Sequence, residues 1–180
     1  MEQIFDKPNG SFNIITVGRL EKEKGIDKLL AIANKLRGMN LIFKWYFIGD
    51  GVLAKWCKEY VADNKLENNV VLMGQKGNPY PYIYDSDLLV SGSLSETFGL
   101  SILEALTLET PVVSYKFEAV SELLNDTNGI VCPSFDEMER VIARLIRDHS
   151  AYEVLKNKTR VIADYNLLSS DQFQNLINNA

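Results

Sequence analysis

Short apolar stretches alternate along the chain with longer segments in which apolar side chains recur every three or four positions. The short stretches are rich in β-branched and aromatic residues and are apolar on both faces, which is typical of strands buried in a parallel sheet. Six strands are predicted, at residues 13–17, 44–48, 69–73, 88–91, 111–115 and 129–132. Helices are predicted at residues 26–36, 52–64, 81–85, 100–108, 119–124 and 136–148, the last running on toward residue 164. This alternation predicts a doubly wound, Rossmann-like α/β domain around a parallel sheet of about six strands.

Composition restricts the classes of protein to consider. The chain has 180 residues, of which 46% are hydrophobic and 24% charged, as expected for a single domain spanning residues 1–180. The net charge of −5 leaves no broad basic surface for nucleic acid or an anionic membrane. Without an apolar run long enough for a membrane helix, or a signal peptide, a cytoplasmic location is expected. The two cysteines, Cys57 and Cys132, lack metal-ligand spacing and are predicted to be buried thiols.

Candidate binding groups follow the first predicted strand. In a doubly wound sheet the ligand crevice lies outside the carboxyl ends of the strands. Here Gly18 permits a turn, Arg19 offers a planar fork of donors, and Lys24 is a compact charge just before a helix. Together the two cations could clamp a diphosphate. The alternative is a solvated charged loop in which Arg19 forms a surface ion pair.

The stretch after the fourth strand is the most informative one. Gly99 allows a tight turn, and the backbone amides from Phe98 to Ser101 would open a helix whose unpaired N–H groups attract an anion. Glu96 precedes this site, and Glu104 lies about one turn inside the helix. The alternative reading is that Glu96 caps the helix and Glu104 is an ordinary exposed residue.

The two carboxylates suggest the kind of ligand. Because a carboxylate does not favour a phosphate, its plausible partners are vicinal hydroxyl groups such as those of a ribose or a hexose. A diphosphate flanked by two diols describes a nucleotide-sugar. The remaining candidates carry less weight. The segment 73–75 could border a base, and His149 is expected on the surface near the end of a long helix. Five aromatic residues are expected to be core or helix-packing groups: Trp45, Trp56, Tyr80, Tyr82 and Tyr84.

Over residues 13–131 the chain resembles the C-terminal, donor-binding domain of the retaining glycosyltransferases with a GT-B fold, of the group 1 or family 4 type. The resemblance rests on Gly18-Arg19-Leu20 followed by Lys24-Gly25, and on Glu96-Thr97-Phe98-Gly99-Leu100 followed by Glu104-Ala105. Supporting segments are 47–51, 70–74, 111–113, Glu122 and Gly129. Their order after successive strands makes the set specific.

The resemblance implies a role for each matched position. Arg19 and Lys24 would hold the diphosphate of a nucleotide-sugar donor, and Glu96 would bind hydroxyls of the transferred sugar. These three are the expected catalytic residues. Glu104 would bind the ribose. The remaining expected binding positions supply backbone or border the base: Gly18, Met73, Gly74, Gln75, Thr97, Phe98, Gly99 and Leu100. No cofactor is expected, and a metal-independent transfer is implied because the two cations take the place of a metal.

Two departures from the family pattern concern loops. Leu108-Glu109-Thr110 stand where a glycine usually precedes the fifth strand, and Lys116 to Glu118 replace a glycine-rich turn after it. A GT-B enzyme also has an acceptor-binding N-terminal domain, so the chain is expected to be part of a longer enzyme and inactive alone. Nucleic acid is not an expected partner, and membrane contact is expected only through that other domain. The alternatives are a nucleotide-sugar binding module without activity and a domain similar to a sugar-nucleotide epimerase.

Overall fold

The fold is a six-stranded, entirely parallel sheet with helices on both faces, seen in a computed structural model. The structure describes residues 4–5, 10–96, 98–118, 120–125 and 128–163. The strands are β1 (Phe12–Val17), β2 (Phe43–Ile48), β3 (Val70–Gly74), β4 (Leu88–Ser91), β5 (Val112–Tyr115) and β6 (Ile130–Cys132). Each begins within one residue of its predicted start. Their order in the sheet is β3-β2-β1-β4-β5-β6, which confirms the predicted doubly wound class.

Within the described residues, seven α-helices cover the sheet. They are α1 (Ile26–Gly38), α2 (Ala54–Asp63), α3 (Tyr80–Tyr84), α4 (Leu100–Thr107), α5 (Val120–Leu123), α6 (Phe135–Arg147) and α7 (His149–Ala163). One apolar cluster joins one face of the sheet to α1, α2, α6 and α7, and a second joins the other face to α3, α4 and α5. Because every connection between parallel strands must cross over the sheet, these helices leave both of its faces buried. Among the described residues, no helix is long and apolar enough to cross a membrane.

The predicted single helix from residue 136 toward residue 164 is wrong. The chain leaves the helical conformation at Asp148, whose backbone is extended, and α7 starts anew at His149. The Asp148 carboxylate accepts a hydrogen bond from the Ala151 N–H at 3.0 Å, so this residue caps the new helix. His149 is therefore at the start of a helix and not near the end of one. It is on the surface as predicted, with its Nε2 3.8 Å from the Glu153 Oε1.

Hydrogen bonds connect the centre of the sheet from side to side. The indole Nε1 of Trp45 on β2 donates to the Thr16 hydroxyl on β1 at 3.0 Å, and that hydroxyl donates to the Val90 carbonyl on β4 at 2.8 Å. Trp45 is fully buried, as predicted, whereas Trp56 and Tyr84 are 36% and 40% exposed and do not belong to the core. A buried indole N–H requires an acceptor, and the Thr16 hydroxyl provides it. The two bonds together tie β1 to both of its neighbours.

Candidate functional site

The loops that follow β1 and β4 meet at the carboxyl edge of the sheet. Between these two strands the order of the sheet reverses, and this switch point is where ligands of doubly wound domains bind. The Leu94 N–H of one loop donates to the Glu23 carbonyl of the other at 2.8 Å. Gly25 adopts a φ of 63°, and a Cβ built on it would lie 2.2 Å from the Gly92 carbonyl oxygen. Glycine at position 25 therefore lets the two loops touch through their backbones.

Lys24 and Glu96, one from each loop, form an ion pair. The Lys24 Nζ and the Glu96 Oε1 are 2.5 Å apart, and only 20% and 19% of the two side chains are exposed. The hydroxyl of Ser93, itself buried, donates to the same Glu96 oxygen at 3.1 Å. The structure thus brings together two of the three predicted catalytic residues, separated by 72 positions in the sequence. A charge-assisted contact of this kind is shorter and stronger than a bond between neutral groups.

Arg19, the third predicted catalytic residue, is not part of this contact. Its guanidinium pairs with Glu21 at 2.8 Å, and 70% of the side chain is exposed. The observed contact is therefore the surface ion pair that the sequence offered as the alternative to a diphosphate clamp. Exposed pairs of this kind contribute little stability, so the guanidinium can exchange its partner at low cost.

The helix α4 begins next to the ion pair. Gly99 is its N-cap residue with a φ of 57°, and no side chain caps the helix. The interpretation that Glu96 is a helix cap is therefore wrong. The first helical hydrogen bond is donated by Ile102 to the Gly99 carbonyl, so the preceding N–H groups point out of the helix start. Phe98 and Leu100 flank this end with 70% and 64% exposure, while Thr97 lies outside the described residues.

Glu104 lies one turn into α4 and is half-buried rather than an ordinary exposed residue. Burial raises the pKa of its carboxyl, because the charged form loses water contacts, while a hydrogen bond from the Tyr80 hydroxyl opposes this rise. Burial and the neighbouring Glu104 raise the pKa of Tyr80 as well. The two helices that carry them, α3 and α4, pack against each other.

The remaining predicted positions surround this group. The Gly18 N–H donates to the Ile48 carbonyl at 3.0 Å, which ties the loop after β1 to the end of β2. Met73 and Gly74 end the edge strand β3, two strands away from β1, and Gln75 follows on the surface. Gly74 is linked inward, since its carbonyl accepts a bond from the Gly49 N–H at 2.9 Å. Their predicted role beside a base remains a prediction.

The two segments that depart from the family pattern differ in what they form: one ends α4, and the other lines a groove. Glu109 adopts a φ of 57° just after α4, a left-handed conformation that glycine adopts more easily. Lys116, Phe117 and Glu118 line a groove of about 640 Å³ together with Leu94 of the loop after β4. The replaced turn therefore borders the candidate site.

Sequence reasoning missed two residues here. Tyr80 was expected only to pack, yet Tyr80 and Glu104 each shift the pKa of the other, and Ser93 was assigned no role although it bonds to Glu96. A usable signal was present for Ser93, because it stands two residues after the end of the fourth strand. Within the described part of the chain, no group of three or more metal-ligating side chains is placed to hold a metal ion.

The strand order defines a Rossmann-like α/β domain, and its switch point holds the pair of Lys24 and Glu96 beside a helix start that attracts anions. The chain belongs to the family described as Glycosyl transferases group 1, whose model matches residues 1–161.

Relatives and solved structures agree with this assignment. The GtfA subunit of a UDP-N-acetylglucosamine–peptide N-acetylglucosaminyltransferase from Streptococcus agalactiae is 34% identical over 128 residues, covering 68% of this chain and 24% of that protein. A TarM mutant of S. aureus, solved with fondaparinux, α-GlcNAc-glycerol and UDP, has a TM-score of 0.76 at 24% identity over 98% of this chain and 38% of that chain. Anabaena HepE, solved with UDP-glucose, has a TM-score of 0.76 at 22% identity over 94% of this chain and 48% of that chain.

These likenesses concern one part of longer proteins. The first curated relatives are covered over 31%, 36% and 24% of their length, so the chain spans about a quarter to a third of them. The two structural likenesses, at this level of identity, show the fold.

Proposed function

We propose that the chain is the donor-binding domain of a retaining glycosyltransferase, which transfers a hexosyl group from a nucleotide-diphosphate sugar to a glycan, lipid or protein acceptor. The observation that carries this proposal is the contact of Lys24 with Glu96 beside the uncapped start of α4. A cation and free N–H groups suit the diphosphate, and a carboxylate next to them suits the sugar hydroxyls. The acceptor would be bound by an N-terminal domain, without which we expect no transfer.

Lys24 and Arg19 would act on the leaving group. When the bond between the sugar and the diphosphate breaks, negative charge grows on the phosphate oxygens, and preorganised cations and amides stabilise it. Lys24 is already oriented by Glu96, so the diphosphate would share a cation that is fixed in place. Arg19 would leave Glu21 and close over the phosphates from the exposed side. In this proposal the two cations do the work of a metal ion, and no cofactor takes part.

The carboxylates would hold the two hydroxyl-bearing ends of the donor. Glu96 would accept from hydroxyls of the transferred sugar, and Glu104 from those of the ribose. The relatives and neighbours whose names include UDP or a UDP-sugar support a uridine nucleotide as the donor class.

An epimerase would need a histidine near the sugar, and the position of His149 gives this alternative no support. His149, the sole histidine of the chain, borders a groove with Phe12 and Ile42, near the amino ends of β1 and β2. The binding-module alternative differs from the enzyme only in the absence of transfer.

Titration calorimetry with UDP-glucose, UDP-N-acetylglucosamine, GDP-mannose and ADP-glucose tests the proposal. We expect saturable binding of the uridine donors, weakened about tenfold or more by Lys24→Ala, because one charge-assisted bond is lost. Lys22→Ala is the matched control, since it removes the same charge from the same short 3-10 turn, Lys22–Lys24, but lies outside the ion pair. The absence of saturable binding by all four donors, or an equal loss in both variants, would refute the proposed site.

A further inference from the structure

Phe5 is attached to the face of the sheet that α3 covers, although residues 4 and 5 belong to no helix or strand. Its side chain is 3% exposed, and its ring stacks on that of Tyr46 in β2, with centroids 3.8 Å apart and 17° between the planes. The Phe5 N–H donates to the Asp85 carboxylate at 2.6 Å. The neighbouring Ile4 is 42% exposed. Phe5 therefore attaches this segment through its ring and its N–H.

The two contacts of Phe5 include two points on α3. Asp85 is the C-cap residue of that helix, and the ring of Tyr82 in its middle lies 5.9 Å from the Phe5 ring. Phe5 also belongs to the same apolar cluster as Ile83. A helix of five residues is too short to be stable through its own backbone bonds, so it depends on packing against its surroundings. Phe5 supplies part of that packing.

α3 in turn contacts residues beside the candidate site. The Lys76 Nζ, in the loop between β3 and α3, lies 5.8 Å from the centre of the Tyr82 ring, within the range of a cation–π contact. The Tyr80 N–H donates to the Asn78 side chain of the same loop at 2.9 Å. α3 also packs against α4, whose start lies in the candidate site. A continuous series of contacts therefore leads from Phe5 through α3 to that site.

We propose that Phe5 is a releasable anchor: it holds α3 and the loop before it in place, and its release loosens both while the rest of the sheet stays folded. Release breaks no strand pairing, because Phe5 lies outside the sheet. Segments held by few contacts open locally, at a lower free energy than the whole domain. The polypeptide before β1 is in this way coupled to the candidate site.

Amide hydrogen exchange of the wild-type chain, followed by NMR, tests the release. The Phe5 N–H, bonded to Asp85, reports the anchor, and the Leu89 N–H, bonded to the Pro111 carbonyl, reports the sheet. We expect the protection factor of Phe5 to be at least about tenfold lower than that of Leu89. Equal protection would mean that Phe5 leaves only when the whole domain unfolds, and would overturn the proposal. Because no nucleotide is added, the outcome does not depend on the proposed function.

Phe5→Ala tests the effect on α3. The Ile83 N–H, bonded to the Pro79 carbonyl, reports that helix. We expect its protection to fall about tenfold or more relative to that of Leu89, because α3 loses contacts at its middle and at its end. Phe5→Leu keeps most of the buried apolar volume and should produce a smaller fall at the same amide, so it serves if the alanine variant does not fold. Equal falls at Ile83 and Leu89, or no fall at Ile83, would overturn the proposal.

Phe12→Ala is the matched control. It removes the same ring from the opposite face of the sheet, where Phe12 meets Tyr152 edge-on with centroids 5.2 Å apart. The ratio of Ile83 to Leu89 protection should stay as in the wild-type chain. Ile4→Ala, at the exposed neighbour of the anchor, should also leave it unchanged. A fall in this ratio as large as that in Phe5→Ala, in either control, would overturn the specific role of Phe5.

Discussion

Replacing Gly25 by alanine should destabilise the fold and separate the two loops of the candidate site. Gly25 ends the short 3-10 turn that carries Lys24, and it precedes the first residue of α1. An added methyl group would lie 2.2 Å from the oxygen and 2.9 Å from the carbon of the Gly92 carbonyl. Both contacts are with backbone, so no side-chain rotation can relieve them, and the loops must move apart.

The magnitude has two parts. An alanine in the left-handed conformation costs about 1–2 kcal/mol, and forcing extra atoms into a closed contact costs about 1–3 kcal/mol more. The expected loss in the free energy of unfolding is therefore about 2–5 kcal/mol. For a domain of this size the midpoint of thermal unfolding shifts by about 2–4 °C for each kcal/mol, so a decrease of about 4–20 °C is expected.

Gly38→Ala provides a control at the other end of the same helix. A methyl group built on Gly38 meets nothing within 4 Å, and the position does not have a positive φ. Alanine there should leave stability unchanged or raise it by up to about 1 kcal/mol, because it reduces the freedom of the unfolded chain. Guanidinium unfolding followed by tryptophan fluorescence, to which the buried Trp45 contributes, compares the two variants directly. Equal midpoints for Gly25→Ala, Gly38→Ala and the wild-type chain would refute the close approach of the loops.

Three further predictions concern buried groups. Burial raises the pKa of Glu104, and only the ionised carboxylate can accept hydroxyl protons at both of its oxygens. Affinity for a UDP-sugar should therefore be full above that pKa and fall as the pH drops through it. Calorimetry should find this acid limb absent in Glu104→Gln. Burial raises the pKa of Cys57 to about 11 and that of Cys132 to about 12. At mildly alkaline pH neither thiol should therefore react with Ellman's reagent until denaturant is added. Rapid reaction of the native chain would contradict this. Thr16→Val should lower the free energy of unfolding by about 1–3 kcal/mol in guanidinium titrations, because the Trp45 indole loses its acceptor. Thr16→Ser keeps a hydroxyl and should retain most of the wild-type free energy of unfolding. Equal losses in the two variants would contradict that explanation.

The sheet was predictable because its strands are buried. Residues such as Ile14, Phe47 and Val113 are fully buried. A strand with helices packed on both faces is apolar along the whole length that they bury, so its ends are visible in the sequence. The break at Asp148 escaped the same reasoning, since the apolar period continues across it. A single aspartate whose side chain caps the next helix interrupts the backbone without interrupting the pattern.

The position of the candidate site was also predictable, but its contacts were not. The order of motifs after successive strands indicated the carboxyl edge, and in the structure Lys24 and Glu96 lie together there. Whether Arg19 or Lys24 contacts the Glu96 carboxylate depends on how β1 and β4 lie next to each other. No local sequence pattern contains that information. Arg19, two residues after β1, pairs with its near neighbour Glu21 instead. Tyr80 escaped because an aromatic residue at the start of a helix has the pattern of a packing residue.

The pairing of β1 with β4 also has a consequence for the order of folding. During synthesis, the segment from β1 to β3 is complete before β4 emerges, and β1–β2 and β2–β3 are pairs of strands consecutive in the chain. Pairing of β1 with β4, by contrast, must close a loop of about 70 residues, as the separation of 74 between Thr16 and Val90 shows. Lys24 and Glu96 can meet only after this step. The proposed capacity to bind an anion at this edge should therefore arise late, so that it reports completion of the sheet during refolding or translation.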